Sequence, residues 1–385
     1  MKTARCLENI KPYMFVAINQ KRDELMAQGH DVISLSVGDP DGATPDHIVN
    51  AMRGFVSDPV NQHYPSYYGL PEFRKAAAAW MQRRFGVTVD PESELITLNG
   101  SKEGLAHLHN AFVDPGDYVL VPSIGYSVYA GGAILRGAKP YYLPMNEENG
   151  FLASLDGIPE DVLSRAKILF LSYPNNPTGA VAPVEYFDRA IELCIKHGIL
   201  LCHDNAYCEI CFDGYQAPSI LERPHAKECC IEFFSLSKPY RMTGWRIGFC
   251  CGNEQAVQAL AKVKSNIDSG VFNAIQRAGI VALEGPQDCI SEMCREYSLR
   301  RDAVVRALID LGLRCQVPKA TFYVWAKVPQ GYTSASFCEK ALNEAHVVLT
   351  PGSGYGPEGE GYIRISLTTP TERILEACER LKRCM

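Results

Sequence analysis

The chain has 385 residues, with 38 Lys and Arg against 44 Asp and Glu, a formal net charge of −6 at pH 7. Hydrophobic residues make up 46 % and charged residues 21 %, which fits a folded globular protein and excludes a disordered or collagen-like chain. The mild acidity argues against nucleic acid or an anionic membrane as partner, because both need a basic surface.

Such a length exceeds the ~150 residues usual for one domain and suits a large domain beside a smaller one. No stretch approaches the ~18 apolar residues of a membrane span. The N-terminal MKTARCLENIKPYMFVAINQ lacks the apolar run of a secretory signal. The count of Cys, 15, is the one unusual number. A chain this large does not need disulfide staples, so these residues read as small core hydrophobes in a reduced, cytoplasmic protein. Cys208 and Cys211 form one C-x-x-C, but no second pair follows at zinc-site spacing, and no metal is expected.

In chain order, a helix is expected over 16–28. A second carries the stripe Phe73, Ala77 and Trp80, opened by Pro71-Glu72. Strand 94–98 precedes a helix with Leu105, Leu108 and Phe112, closed by Asp114-Pro115-Gly116. Strands follow at 118–121, 140–143 and 167–172. A helix then carries Val184, Phe187, Ile191 and Ile195, with Pro183 at its start and Gly198 past its end. Strands at 199–203, 231–234 and 246–250 complete the set. All seven are short and nearly continuous in apolar character, as in sheets covered on both faces. Their alternation with helices is the pattern of a wound α/β domain. After about residue 285 the pattern changes to a long helix over 291–311, a strand over 321–328, then helix, strand, glycine-rich loop, strand and helix. This reads as a smaller α+β unit, completed by the N-terminal helix. No repeat or linker is evident.

The chemistry gathers at strand ends. Asp204 closes GILLCHD, where open α/β sheets bind ligands. Taken alone it would read as a capping or turn residue, and Lys238, taken alone, as a solvated surface group. The neighbours of Lys238 change that reading. Ser235, Ser237 and Arg246 supply two hydroxyls and a guanidinium that would hold a phosphate and present an amine beside it. A lysine crowded by cations can lose its proton and form a Schiff base with a carbonyl. A pyridine cofactor bound in that way needs an acid at its ring nitrogen, which Asp204 would supply. Ser101 and Lys102 open a helix whose N–H groups would face an anion, and the Asn176 amide, in a strand-ending turn, could reach the cofactor's phenolic oxygen.

The order Asn175-Asn176-Pro177-Thr178-Gly179, Asp204-x-x-Tyr207, Ser235-Leu-Ser-Lys238 and Arg246-Ile-Gly248 resembles the fold type I pyridoxal-phosphate aminotransferases of class I/II. The resemblance covers nearly the whole chain. It implies a large domain (45–284) with a mostly parallel seven-stranded sheet between helices, and a small α+β domain (1–44 and 285–385). It also implies pyridoxal 5'-phosphate as cofactor. Lys238 would carry the cofactor and shuttle the proton. Asp204 would pair with the pyridine nitrogen, while Asn176 and Tyr207 hold the phenolic oxygen. Tyr126, in PSIGYSVY, resembles the aromatic that stacks on the ring, and Ser101, Lys102, Ser235, Ser237 and Arg246 would bind the phosphate. Arg364, in YIRISL, resembles the arginine that clamps the substrate α-carboxylate, helped by the Gly38 backbone. Tyr64, in HYPSYYG, resembles a phosphate-touching tyrosine lent by the partner subunit, which implies a homodimer with shared active sites. The substrates would be an amino acid and a 2-oxo acid in ping-pong exchange.

Within this class, GSKEGLAHL, DPGDYVLVPSIGYSVY and TFYVWAKVPQGY resemble bacterial and archaeal LL-diaminopimelate aminotransferases. Tyr13 and Asn273 lie where that group has substrate- or cofactor-contacting residues. The reaction so implied joins LL-diaminopimelate and 2-oxoglutarate to tetrahydrodipicolinate and L-glutamate. Alanine, aspartate and methionine aminotransferases share most of the motifs and stay open, as do a β-lyase or decarboxylase and a non-catalytic regulator. Ser127 stands where a proline commonly follows the tyrosine. Two other motifs are decoys. Ser235-Leu-Ser-Lys238 also fits S-x-x-K, but it ends a strand rather than opening a helix. Gly354-Tyr-Gly356-Pro-Glu-Gly359 fits G-x-G-x-x-G, but a strand follows it instead of a helix.

Overall fold

The computed structural model describes residues 1–10 and 15–384. Its strands are β1 (Ile33–Ser34), β2 (Leu95–Leu98), β3 (Tyr118–Pro122), β4 (Lys139–Leu143), β5 (Ala166–Leu171), β6 (Leu200–Asp204), β7 (Cys230–Ser235), β8 (Gly248–Gly252), β9 (Tyr323–Lys327), β10 (Val347–Val348), β11 (Thr350–Pro351) and β12 (Tyr362–Ser366). Seven of them form one sheet in the order β2-β8-β7-β6-β5-β3-β4. Only β8 runs against its neighbours, β2 and β7. The other pairs are parallel, as the seven apolar runs led one to expect.

The central strands are mostly apolar because both faces of the sheet are covered, whereas β4 at the edge is largely half-buried or exposed and β6 and β7 bury His203 and Glu232. Along β5, Ile168 and Phe170 pack in one core with Leu105, Leu108 and Leu260. Leu169 and Leu171 pack in the other with Trp80, Phe187 and Ile191. Truncating the fully buried Phe187 to alanine should cost about 3–5 kcal/mol. The helix Val184–His197 enters through Pro183 at φ −70° and ends at Gly198, whose φ of 64° favours glycine.

One strand limit differs from expectation and matters for the site. β8 starts at Gly248, and Arg246 lies before it in a left-handed conformation at φ 56°. A Cβ at Gly248 would come within 2.6 Å of the Phe234 carbonyl oxygen. The strand therefore begins where glycine permits close approach, and Arg246 occupies the turn that leads into it.

Beyond Gly285 the chain builds a second, smaller core. An antiparallel sheet ordered β11-β12-β9 contributes Val324, Ile363 and Ile365 to it. The helices Asp288–Asp310, Ser334–Ala345 and Thr371–Cys384 supply Val304, Phe337 and Ile374. β1 pairs with β10 in parallel, so Ile33 and Leu35 join this core. The segment after β1 is tied to both units. Arg300, only 1 % exposed, donates to both carboxylate oxygens of Asp41 at 2.9 and 2.8 Å. Thr44 donates to the Arg241 carbonyl at 2.8 Å. The described cysteines are free thiols, several of them on the central strands.

Candidate active site

β2, β3, β5, β6 and β7 all end on one edge of the large sheet, and β8 begins there. This is the edge at which open α/β sheets bind ligands. β6 delivers Asp204 as its last residue, and Lys238 follows the end of β7. Lys238 Nζ donates to the Gly38 carbonyl at 2.8 Å. Burial, joined by the Arg364 and Arg246 charges and opposed by Asp39 and Asp204, brings its ammonium down to about 8. Roughly a tenth of this amine is then unprotonated at neutral pH, as a nucleophilic lysine needs.

Asp204 is buried, and its two oxygens have different surroundings. Oδ2 accepts from the Tyr129 hydroxyl at 2.8 Å. Oδ1 is buried without a hydrogen-bond partner among the described residues. Burial raises this carboxyl above its usual range, and the Tyr129 bond draws it back. Burial and the Asp204 charge push the Tyr129 phenol far up, so it keeps its proton and donates. The Tyr129 ring stacks on Phe170 at 4.9 Å. Tyr126 caps the same helix, Ser127–Leu135, and meets Tyr129 edge-on at 6.0 Å.

The Asn99-Gly100 turn leads from β2 into the helix Ser101–Phe112. Arg246 closes over it, with Nη1 donating to the Thr243 carbonyl at 2.9 Å and Nη2 to the Asn99 carbonyl at 3.3 Å. A Cβ at Gly100 would lie 2.2 Å from Arg246 Nη2, and one at Gly248 would lie 3.3 Å from the Ser101 nitrogen. Ser235 Oγ accepts from the Ser237 N–H at 3.2 Å. Lys102 Nζ lies 5.4 Å from the Tyr126 ring centre. Backbone N–H groups at a helix start, the neighbouring serines and a guanidinium are thus brought together where two glycines permit close approach, a donor set suited to a phosphate.

Arg364 projects from β12. Nη1 donates to Asn176 Oδ1 at 3.0 Å, and Nη2 to the Ser36 carbonyl. Its guanidinium lies 4.1 Å from the centre of the Tyr323 ring and 5.0 Å from that of Tyr355. Tyr207 and Tyr323 share a hydroxyl contact at 3.1 Å. A Cβ at Gly38 would fall 1.8 Å from the Tyr323 hydroxyl, so a side chain is excluded there. Asn176 is held by a self-braced turn, in which Asn175 Oδ1 accepts from the Thr178 N–H at 3.1 Å and its hydroxyl at 2.8 Å.

The structure therefore gathers Ser101, Lys102, Tyr126, Asn176, Asp204, Tyr207, Ser235, Ser237, Lys238, Arg246, Arg364 and Gly38 along one edge. Two expected members stand apart. Tyr64 is 90 % exposed in the single chain. Asn273 begins the helix Asn273–Glu284, and its buried Oδ1 has no hydrogen-bond partner among the described residues. Tyr13 lies outside the described residues. Tyr129, Tyr323, Tyr355 and Ser36 belong to the cluster and had not been anticipated. Only Tyr129 left a local signal, its spacing of three from Tyr126 on one helical turn. The unpartnered Asp204 Oδ1 suits a protonated ring nitrogen, and the Gly100 cradle suits a phosphate. The residues thus fit pyridoxal phosphate.

Residues 30–381 match the model of the family described as aminotransferase class I and II. Over 99 % of the chain and 97 % of the relative, the sequence is 54 % identical to an LL-diaminopimelate aminotransferase of Desulforudis audaxviator. The protein of the same name from Moorella thermoacetica is 51 % identical over 100 % of the chain and 99 % of its own length. Among solved structures, substrate-bound BacF of Bacillus subtilis superposes with a TM-score of 0.95 at 36 % identity, covering 100 % of this chain and 98 % of that one. A mutant aspartate aminotransferase of Thermus thermophilus gives 0.93 at 30 % identity, with 100 % of both chains covered.

Proposed function

The chain belongs to the class I and II aminotransferase family, whose members use pyridoxal phosphate, and we propose that it exchanges the amino group between LL-diaminopimelate and 2-oxoglutarate. The observation that carries the substrate reading is the whole-length identity of 54 % and 51 % to two proteins of that name. When bound, the cofactor supplies an electron sink for the bond that yields the α-proton.

Each residue then has a task. Asp204 Oδ1 would accept from the pyridine nitrogen of the cofactor, while Tyr129 fixes Oδ2. Asn176 and Tyr207 would hold its phenolic oxygen, with Tyr126 beside the ring. Ser101, Lys102, Ser235, Ser237 and Arg246 would hold its phosphate. Arg364, steadied by Asn176 Oδ1 and the Ser36 carbonyl, would take the substrate α-carboxylate through its remaining N–H groups, assisted by the Gly38 backbone. Lys238 Nζ, perched on the Gly38 carbonyl, holds the cofactor at rest and carries the proton from the substrate α-carbon. We place the cofactor-holding unit at 45–284 and the carboxylate-clamping unit at 1–44 with 285–385.

The working form is a homodimer in the cytoplasm. Tyr64 at 90 %, Val60 at 55 % and Tyr67 at 46 % exposure leave an apolar surface that a second copy would cover, bringing Tyr64 to the neighbouring phosphate. The free thiols suit a reducing compartment. Asn273 and Tyr13 are assigned to the substrate on resemblance alone.

An amino-donor screen with 2-oxoglutarate tests the specific reading, using LL- and meso-diaminopimelate, alanine, aspartate and methionine. Preferred turnover of LL-diaminopimelate supports it. No turnover of that donor beside good turnover of another would sink the substrate and leave transamination standing. Mixing inactive Lys238→Ala with Tyr64→Ala chains tests the dimer, because shared sites would regain activity in the hybrid.

A further inference from the structure

Lys264 is a fully buried lysine outside the cluster described above. It ends the helix Glu254–Lys264, and its Nζ lies 2.8 Å from Glu103 Oε1 and 2.7 Å from Asp268 Oδ2. Glu103 sits in the first turn of the helix Ser101–Phe112. The same Oε1 also accepts from the Asn99 N–H at 2.9 Å, and Oε2 lies 2.8 Å from His107 Nδ1. Asp268 Oδ1 accepts from the Gly270 N–H at 2.7 Å. Glu103, His107 and Asp268 bring ligand-type atoms within 4.8 Å of one another. Two of the three already hold the Lys264 ammonium, so the internal cation of this group is the lysine itself.

The placement of Glu103 poses an electrostatic problem. A carboxylate in the first turn suits a bare helix N-terminus, but this N-terminus is where the phosphate of the cofactor is proposed to sit. Two anions at one helix start repel each other. Burial opposes the charge of Glu103, yet His107 and Lys264 outweigh it and hold the carboxyl below its usual range, so the group is an anion. Lys264, which Glu103 shares with Asp268, is placed to offset that charge. It also ties the Asn99-Gly100 turn, over which Arg246 closes, to the loop before Asn273.

We propose that Lys264 is a positioning residue for phosphate binding: it offsets the charge of Glu103 and fixes the Asn99-Gly100 turn so that the start of the helix Ser101–Phe112 accepts a dianion. This rests on the assignment of the phosphate to that turn. It predicts that the harm of losing Lys264 is relieved when Glu103 loses its charge as well. A lysine that merely fills the core would show no such relief.

The experiment measures pyridoxal-phosphate release from the full-length holoenzyme, and inorganic phosphate binding to the same chain stripped of cofactor. Arg246→Ala tests the underlying assignment, since unchanged phosphate affinity there would remove the phosphate from this turn. With that variant weakened, Lys264→Met should lose about tenfold in affinity for both probes, and Lys264→Met with Glu103→Gln should recover most of it. Unaltered affinity in the single variant, or a loss that persists in the double, overturns the proposal. Glu103→Gln alone keeps an acceptor for the Asn99 N–H and tolerates folding better than the lysine variant. It should bind phosphate at least as tightly as the unaltered chain, and weaker binding would count against the role of charge. Circular dichroism and melting of each apo-variant separate unfolding from lost affinity.

Discussion

The two ends of the cluster, proposed to take the cofactor and the substrate, are braced by different means. Around Asp204 and the Gly100 cradle, charged groups are held by other buried groups: Tyr129 on Asp204, and Lys264 on Glu103. The Arg364 guanidinium is held by an amide oxygen and a backbone carbonyl, among other contacts, and lies against the faces of Tyr323 and Tyr355. A resident cofactor suits preset charged partners, whereas a substrate that must come and go suits oxygens and ring faces a carboxylate can displace or share. Lys238 stands between them, its amine on the carbonyl of Gly38.

Variants at the two ends should therefore fail differently. The largest effect is expected for Asp204→Ala, which should lower kcat by about 10²- to 10⁴-fold and weaken cofactor retention. Steady-state kinetics with measured cofactor occupancy checks this, and a change in KM alone would erase the contrast between the ends. Arg364→Gln should raise KM for both amino and oxo acid by about 10- to 100-fold, with cofactor occupancy unchanged, because a charge-assisted carboxylate contact is lost. Tyr129→Phe should reduce kcat by about tenfold with little change in KM, since it frees Asp204 Oδ2 without touching substrate. Gly38→Ala should destabilise the fold by about 1–3 kcal/mol through its clash with Tyr323, seen as a lower Tm.

The smallest effect concerns pH. A lysine lowered to about 8 gains neutral amine as pH rises through 8 and is saturated well before an ordinary lysine. Labelling of Lys238 by an amine-reactive aldehyde, followed by peptide mass, should therefore level off above pH 9 in the cofactor-free chain. A rise that continues past pH 10 would show an unperturbed amine.

Much of this architecture was legible because strand ends announce themselves. GILLCHD and IEFFS are mostly apolar up to the sheet edge, the exceptions being His203 and Glu232, which meet at 2.8 Å inside the sheet, so the sequence pattern puts Asp204 and Lys238 at strand ends. Arg246 misled as a strand residue, because Arg-Ile-Gly reads like the start of one. The backbone turns there instead, and the strand waits for Gly248. Pairings between distant positions left no local trace. Tyr129 meets Asp204 across 75 residues, Tyr207 meets Tyr323 across 116, and Lys264 meets Glu103 across 161. Lys264 illustrates the difficulty, since an amphipathic helix end usually carries its lysines in water. Tyr64 acquires its assigned role only beside a second chain, which no single-chain geometry displays.

Lys238 is proposed to hold the cofactor and to carry the proton from the substrate α-carbon. Borohydride reduction of the loaded enzyme, followed by peptide mapping, tests it most directly. A pyridoxyl group is expected on the peptide that contains Lys238, at about one per chain. A label on another lysine, or retention of the label in Lys238→Ala, would contradict it.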